Sequence, residues 1–319
     1  MLFIAQRYLK LCLGLSLVFL SACSDQEESK DLGLKSLQLP QLQQPVKISY
    51  SVIPTAIGST TLEAFMVSAG SYFSLRTPVY NSILIRHPKG NLLFDAGMGI
   101  HAQDELDNSD LNVLDKWVLR FQQHSPVVEQ LQRQGIQPQQ IEAIIPSHLH
   151  WDHLSGAMDF SGVPVLVTEH ELTSARNTTK SGFIESTLGD EINWQSFSYT
   201  DKPYGPYAKS LDYFDDGSVI LVPLNGHTSG HVGLVLNLPT GDSYFFIGDA
   251  AWLNLGVEQA SPRPWFIRSQ LEFDERSTEE QLRVLQQIQQ HNPQVTIVPA
   301  HDDQVVEKLA IFPEFHPQF

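Results

Sequence analysis

Residues 147–156 read SHLHWDHLSG and place three histidines and an aspartate in the six positions from His148 to His153. They follow the apolar run IEAIIP, which reads as a buried strand ending at a proline. A single histidine at a strand end is ordinarily a hydrogen-bonded structural residue. Packing alone gives no reason to converge four ligand-type side chains there. Residues two apart on an extended chain point the same way, so His148 and His150 can chelate one ion. Once the chain turns, Asp152 and His153 can reach a second ion beside the first.

Three further polar residues follow apolar strands downstream. They are His227 in LNGHTSGH, Asp249 in FFIGDAA and His301 in IVPAHDD. Neutral imidazoles and carboxylates suit zinc, and also iron, cobalt or manganese. A carboxylate at Asp249 could bridge two cations and hold them close. Such a pair lowers the pKa of a shared water to roughly 7. His87, His101, His124, His170, His291 and His316 share no such motif and read as ordinary surface or packing residues. Trp151 reads as filling a hydrophobic gap beside the site.

The surrounding chain supplies a scaffold of mixed strands and helices. SILIR, a turn at HPKGN and LLFD form a hairpin. Ser125 and Pro126 look like the N-cap and first residue of a helix over VVEQLQRQ, with Gly135 just past its end. PVLVTE, SVILVPL, VGLVLNL, SYFFIGD and VTIVPAH are further strands. STEEQLRVLQQIQQHN opens on a Ser277–Glu280 capping box and carries Leu282, Leu285 and Ile288 on one face. Residues 171–217 are the least regular section, of the kind that forms lids or disordered insertions. With no repeat and no second-domain boundary, an α/β layered sandwich over residues 47–319 is expected.

The beginning of the chain reads as a targeting segment. Arg7 and Lys10 precede the apolar LCLGLSLVFL, too short to span a bilayer comfortably. LSAC at 20–23 resembles the lipobox of bacterial lipoproteins. That resemblance implies removal of residues 1–22, a lipid on Cys23 and a tether over 23–46. Ser24 after the cysteine points, by the sorting habit of that class, to an outer-membrane lipoprotein facing the periplasm of a Gram-negative cell. The only other cysteine, Cys12, lies within the signal segment, which leaves the mature chain without a disulfide. Residues 1–22 carry two basic and no acidic side chains, so the remainder holds 18 Lys and Arg against 36 Asp and Glu. That balance argues against nucleic acid as a partner and leaves a small-molecule substrate, with the membrane reached through the lipid.

Taken together, H-x-H-x-D-H at 148–153, G-H-T at 226–228, G-D at 248–249 and A-H-D at 300–302 resemble the metallo-β-lactamase superfamily. The resemblance implies an αββα sandwich with the site between two sheet edges. It implies one metal on His148, His150 and His227, another on Asp152, His153 and His301, and Asp249 as bridge. It places Asp95 and His231 behind the ligands and gives Asp249 and Asp152 the catalytic carboxylate roles. Within the family the chain looks most like the acyl-homoserine lactonase branch, which implies a dimetal hydrolase, zinc first, acting on an ester or lactone. The lactonases carry a tyrosine three residues after the bridging aspartate. Here that place, in the substrate pocket, is Trp252, whose indole N–H donates but cannot act as a phenol does. The alternatives are a thioesterase or β-lactam hydrolase on the same fold, an iron-dependent oxidoreductase, and a non-catalytic metal-binding lipoprotein.

Overall fold

The computed structural model describes residues 37–111 and 113–319. The signal segment and Cys23 lie outside the described residues. Two β-sheets stack face to face. The first runs, from one edge, through the short strand Phe121–Gln122, then β1 (Ser49–Gly58), β2 (Val79–His87), β3 (Gly90–Phe94), β4 (Ile141–Ile145), β5 (Pro164–Val167) and β6 (Asn193–Ser196). The second runs from Leu211–Asp212 through β7 (Val219–Pro223), β8 (Val232–Asn237), β9 (Ser243–Phe246) and β10 (Val295–Val298).

Alternation along each strand sorts the apolar side chains into three layers. Tyr50, Val52, Ile83, Ile85, Leu92, Phe94 and Ile145 of the first sheet meet Val219, Leu221, Val232, Leu234, Leu236 and Phe246 of the second. The intervening residues face outward. Leu84, Leu93 and Ile144 pack under α2 (Val127–Arg133), and Ile220, Val222, Val235 and Phe245 pack under α6 (Glu275–His291). Sheets covered on both faces need near-continuous apolar strands, which is why SVILVPL and VGLVLNL alternate so little. This is the αββα sandwich. Its other helices used below are α1 (Ala102–Asn108), α3 (Trp151–Leu154), α4 (Glu169–Asn177), α5 (Trp265–Leu271) and α7 (Asp303–Val306).

Strand direction collects the polar residues at one end of the sandwich. β3 and β4 are parallel, β9 and β10 are parallel, and β7 is antiparallel to β8, which is antiparallel to β9. The carboxyl ends of β3, β4, β7, β9 and β10 therefore open into the loops that carry Asp95, His148, His227, Asp249 and His301. The two sheets are stitched there by Val232 N–H donating to the Ser147 carbonyl at 2.7 Å.

Three details depart from the sequence reading. α6 begins at Glu275, capped by the Asp274 carboxylate, which accepts from Arg276 and Ser277 N–H; Ser277 lies inside the helix. Asp outranks the interior serine as cap because the chain is still extended at 274. Residues 37–41, expected in a tether, pack on the sandwich. Leu37 and Leu39 are buried, Leu39 N–H donates to Asn292 Oδ1 at 2.9 Å, and Asn292 Nδ2 donates back to the Leu37 carbonyl at 2.8 Å. Leucines inside a Gln-rich run were enough to dock it. The 171–217 region is ordered secondary structure in part, with α4 over its start, β6 midway and the strand Leu211–Asp212 near its end. Among the described residues no helix is long and apolar enough to cross a membrane.

Leu285 is fully buried between α6 and the second sheet. Leu285→Ala should lower the unfolding free energy by about 2–5 kcal/mol, read by urea denaturation, with the midpoint shifting and the slope unchanged.

Candidate metal centre

At the carboxyl ends of β4 and β7, three buried imidazoles converge. His148 Nε2 lies 2.9 Å from His150 Nδ1, which lies 3.1 Å from His227 Nε2. On the other side, Asp152 Oδ2 stands 3.4 Å from His153 Nε2 and 3.4 Å from His301 Nε2. Asp249 faces both groups. Its Oδ1 is 3.2 Å from His153 Nε2 and 3.0 Å from His301 Nε2, while its Oδ2 is 3.5 Å from His227 Nε2. The ligand atoms thus fall into two sets, His148, His150, His227 and Asp249 in one and Asp152, His153 and His301 in the other. All seven positions singled out in the sequence are brought together.

The donor set fits divalent cations. Tetrahedral sites with bonds of about 2.0–2.1 Å have ligand–ligand edges of about 3.3 Å, close to the separations here. His153 Nε2 and Asp249 Oδ1 are buried and face each other without hydrogen-bond geometry. Buried polar atoms left without hydrogen-bond partners are costly, and a shared cation would satisfy both.

The electrostatics differ between the two sets. Burial, reinforced by the neighbouring histidines, holds His148 and His150 well below the ordinary imidazole range, so both are neutral lone-pair donors. For His153 burial acts in the same direction, but the carboxylates of Asp152, Asp95 and Asp249 outweigh it and raise the group well above that range. His301 is raised for the same reason by Asp249 and Asp152. The field that retains protons on these two rings is the field that would retain a divalent cation. Asp249 is held well below the usual carboxylate range by His301 and His153 despite its burial.

A second layer fixes each ring. His153 Nδ1 donates to Asp95 Oδ2 at 2.9 Å, and Asp95 Oδ1 accepts from Ser147 N–H at 2.6 Å. Asp95 itself sits at φ 59°, the left-handed region that short polar side chains tolerate. His301 Nδ1 donates to the Val79 carbonyl at 2.9 Å. Burial pushes His231 down to about 3, so it is neutral; its Nδ1 donates to the Leu224 carbonyl and its Nε2 accepts the Asp249 N–H at 3.3 Å. Asp95 and His231 thus lie directly behind His153 and Asp249. Gly248 precedes the bridge at φ +49°, and a Cβ there would meet His231 Nε2 and Ser147 Oγ at 2.6 Å.

Trp252 points its indole N–H at Asp249 Oδ2, 2.7 Å away, so its polar edge is committed to the bridging carboxylate. Trp151 is fully buried among Tyr80, Met98 and Leu106, and it also donates to Glu105 Oε2 at 2.7 Å. The sequence reading missed three buried residues. Glu171 accepts from Leu149 N–H at 3.1 Å and from Gly230 N–H at 2.7 Å, tying the two histidine loops to α4. Glu272 and Arg263 form a buried ion pair, and Glu272 Oε2 lies 3.3 Å from His227 Nδ1. None belongs to a local motif: Glu171 reaches Leu149 22 positions away, and Arg263 and Glu272 reach His227 36 and 45 positions away.

Comparison with known proteins agrees with this geometry. The profile of the metallo-beta-lactamase superfamily matches residues 76–301. An N-acyl homoserine lactonase, AttM of Rhizobium radiobacter, is 23% identical over 253 residues, covering 77% of this chain and 89% of its own. A probable metallo-hydrolase of Mycobacterium tuberculosis is 26% identical over 245 residues, covering 69% of this chain and 73% of its own. Among solved structures, an N-acyl homoserine lactone hydrolase with N-hexanoyl-L-homoserine at its catalytic metal centre superposes with a TM-score of 0.67 at 20% identity, covering 85% of this chain and 100% of that one.

Metal-loaded protein should retain about two ions per chain by elemental analysis, as the two ligand sets require. His148→Ala and His301→Ala should each remove about one, and Asp249→Ala should leave less than about one. Equal metal content in Asp249→Ala and wild type would contradict the bridge.

Proposed function

Because the chain belongs to the metallo-β-lactamase superfamily, as a metal-dependent hydrolase of its lactonase-like branch, we propose that it opens a lactone or ester of an acyl-bearing small molecule with two divalent cations, zinc first. The observation that carries this reading is Asp249, whose two oxygens face two different ligand sets. Two cations held there supply, when bound, a water acidified to a pKa of roughly 7 and a Lewis-acid pull on the carbonyl oxygen.

The protein's own groups do the rest. Asp152 and Asp249 are the carboxylates at the reacting centre, suited to take a proton from the attacking water and return it to the departing alkoxide oxygen. Trp252 steadies Asp249 through its indole N–H, where a lactonase tyrosine would address the substrate. Burial of the centre keeps competing water away and strengthens each of these interactions.

An apolar shoulder beside the centre supports an acyl-bearing substrate. Arg263 donates to the Asp249 carbonyl at 2.8 Å, and the chain then leads directly into α5, where Trp265 and Phe266 are exposed. Phe65, also exposed, packs edge-on against Phe266 with ring centres 6.1 Å apart. Exposed aromatic clusters of this kind mark binding surfaces. AttM is named for N-acyl homoserine lactones, which combine a lactone ring with an acyl chain, and these molecules head the candidate substrates.

We also propose that the protein is an outer-membrane lipoprotein facing the periplasm, carried by Cys23 after removal of residues 1–22. The support is the basic, apolar and LSAC succession in the sequence.

The zinc-loaded protein should hydrolyse at least one of N-hexanoyl-homoserine lactone, a δ-lactone and an aryl ester, and chelation should abolish the activity reversibly. Asp249→Ala should lower kcat/KM by about 10²–10⁴-fold. No turnover across lactones, esters, thioesters and β-lactams by protein carrying its full metal complement would exclude the hydrolytic reading. For the lipoprotein, Cys23→Ser should abolish incorporation of labelled palmitate and move the protein out of the membrane fraction or leave its signal uncleaved. Equal palmitate labelling of the two proteins would refute the anchor.

A further inference from the structure

We propose that Arg263 is the positioning residue that ties His227 to the bridging Asp249, acting through Glu272 on one side and Trp252 on the other. The proposal rests on the two-cation reading of the centre.

Arg263 is 4% exposed and Glu272 is 2% exposed. Arg263 Nε donates to Glu272 Oε1 at 2.7 Å, and Nη2 donates to the same oxygen. Nη1 donates to the Asp249 carbonyl at 2.8 Å. The guanidinium carbon lies 5.1 Å from the centre of the Trp252 ring, within the range of a cation–π contact. Trp252 in turn donates to Asp249 Oδ2. One cation therefore touches the backbone of the bridge, the residue that steadies the bridge's side chain, and the carboxylate beside His227.

His227 Nδ1 has two close neighbours, Arg263 Nη2 at 2.9 Å and Glu272 Oε2 at 3.3 Å. With Nε2 turned into the ligand set, Nδ1 carries the ring proton, and only the carboxylate can accept it. Glu272 Oε2 also accepts from Thr278 Oγ1 at 2.8 Å, which fixes the oxygen that meets the ring. A carboxylate on the far nitrogen of a metal-binding histidine sets its tautomer and raises its basicity. Arg263, donating twice to the other oxygen of Glu272, supplies the positive charge that a carboxylate buried there needs beside it.

A buried ion pair is a poor way to gain stability, because desolvation offsets much of its attraction. Its retention here is explained by what it holds in place. Lysine could carry the charge, but it could not supply the planar fork that reaches Glu272 and the Asp249 carbonyl together.

The test uses the full-length chain, titrated with zinc against a chelating dye so that two dissociation steps are resolved. Cobalt-substituted absorption spectra and thermal unfolding are recorded in parallel. Glu272→Gln should weaken one step by about 10–100-fold and leave the other within about three-fold. Arg263→Gln should weaken both steps and shift the cobalt spectrum, because it releases His227 and the bridge together. Arg263→Lys, which keeps the charge and is the variant read if Arg263→Gln fails to fold, should still weaken the step affected by Glu272→Gln. Trp252→Phe, which removes the N–H donor and keeps an aromatic ring, should alter the cobalt spectrum while His227 remains oriented. Two steps unchanged from wild type in a folded Arg263 variant would overturn the proposal, as would equal loss at both steps in Glu272→Gln. Failure of the wild-type chain to bind two zinc ions would instead overturn the two-cation reading beneath it.

Discussion

Asp249 is a buried carboxylate shared between two groups of imidazoles, and much of the architecture serves that one arrangement. Its charge is tolerable in the interior only because cationic or polarisable partners surround it. Reaching both groups requires a side chain at the gap between two sheets. β9 supplies it by ending beside the parallel β10, while β4 and β7 bring their loops from the other sides. The left-handed Gly248 turns the backbone sharply enough for the next residue to face the gap. The Asp249 N–H, donated to His231 Nε2, then holds the turn.

The two ligand sets are chemically unequal despite their proximity. In the set of His148, His150 and His227 three imidazoles provide most of the ligand atoms, with the shared Asp249 as its one ligand carboxylate and Glu272 behind His227. The other set has Asp152 and Asp249 within reach and Asp95 behind His153. A cation in the first is held mainly by lone-pair donation, and a cation in the second mainly by charge. The two sets therefore offer unequal electrostatic surroundings only a few ångströms apart.

Most of the centre was legible in the sequence because its ligands sit in short motifs at strand ends, where an apolar run stops and ligand chemistry begins. The H-x-H-x-D-H cluster, His227, Asp249 and His301 could be read for that reason, and so could the sandwich, from strands apolar on both faces. Supports assembled by tertiary contact alone left no such trace. Glu171 lies in TEHEL and looks like any helix-start acid, yet it holds Leu149 and Gly230. Arg263 lies in a proline-flanked loop whose partners become visible only after folding. The docking of Leu37 and Leu39 was hidden by the glutamines around them. The Trp252 indole showed that it could donate, but the sequence could not show that the bridging carboxylate receives the bond.

The docked segment at 37–41 bears on where the chain enters the sandwich. It is fastened to Asn292 and His291 just before β10 and to Ser243 at the start of β9, while Asp249 and His301 stand after those strands. The segment therefore joins the sandwich at the pole remote from the metal centre. It is a short strap of two buried leucines and a few hydrogen bonds, elements that can peel away singly. Its hydrogen bonds fall at the starts of β9 and β10, at the opposite ends of those strands from Asp249 and His301.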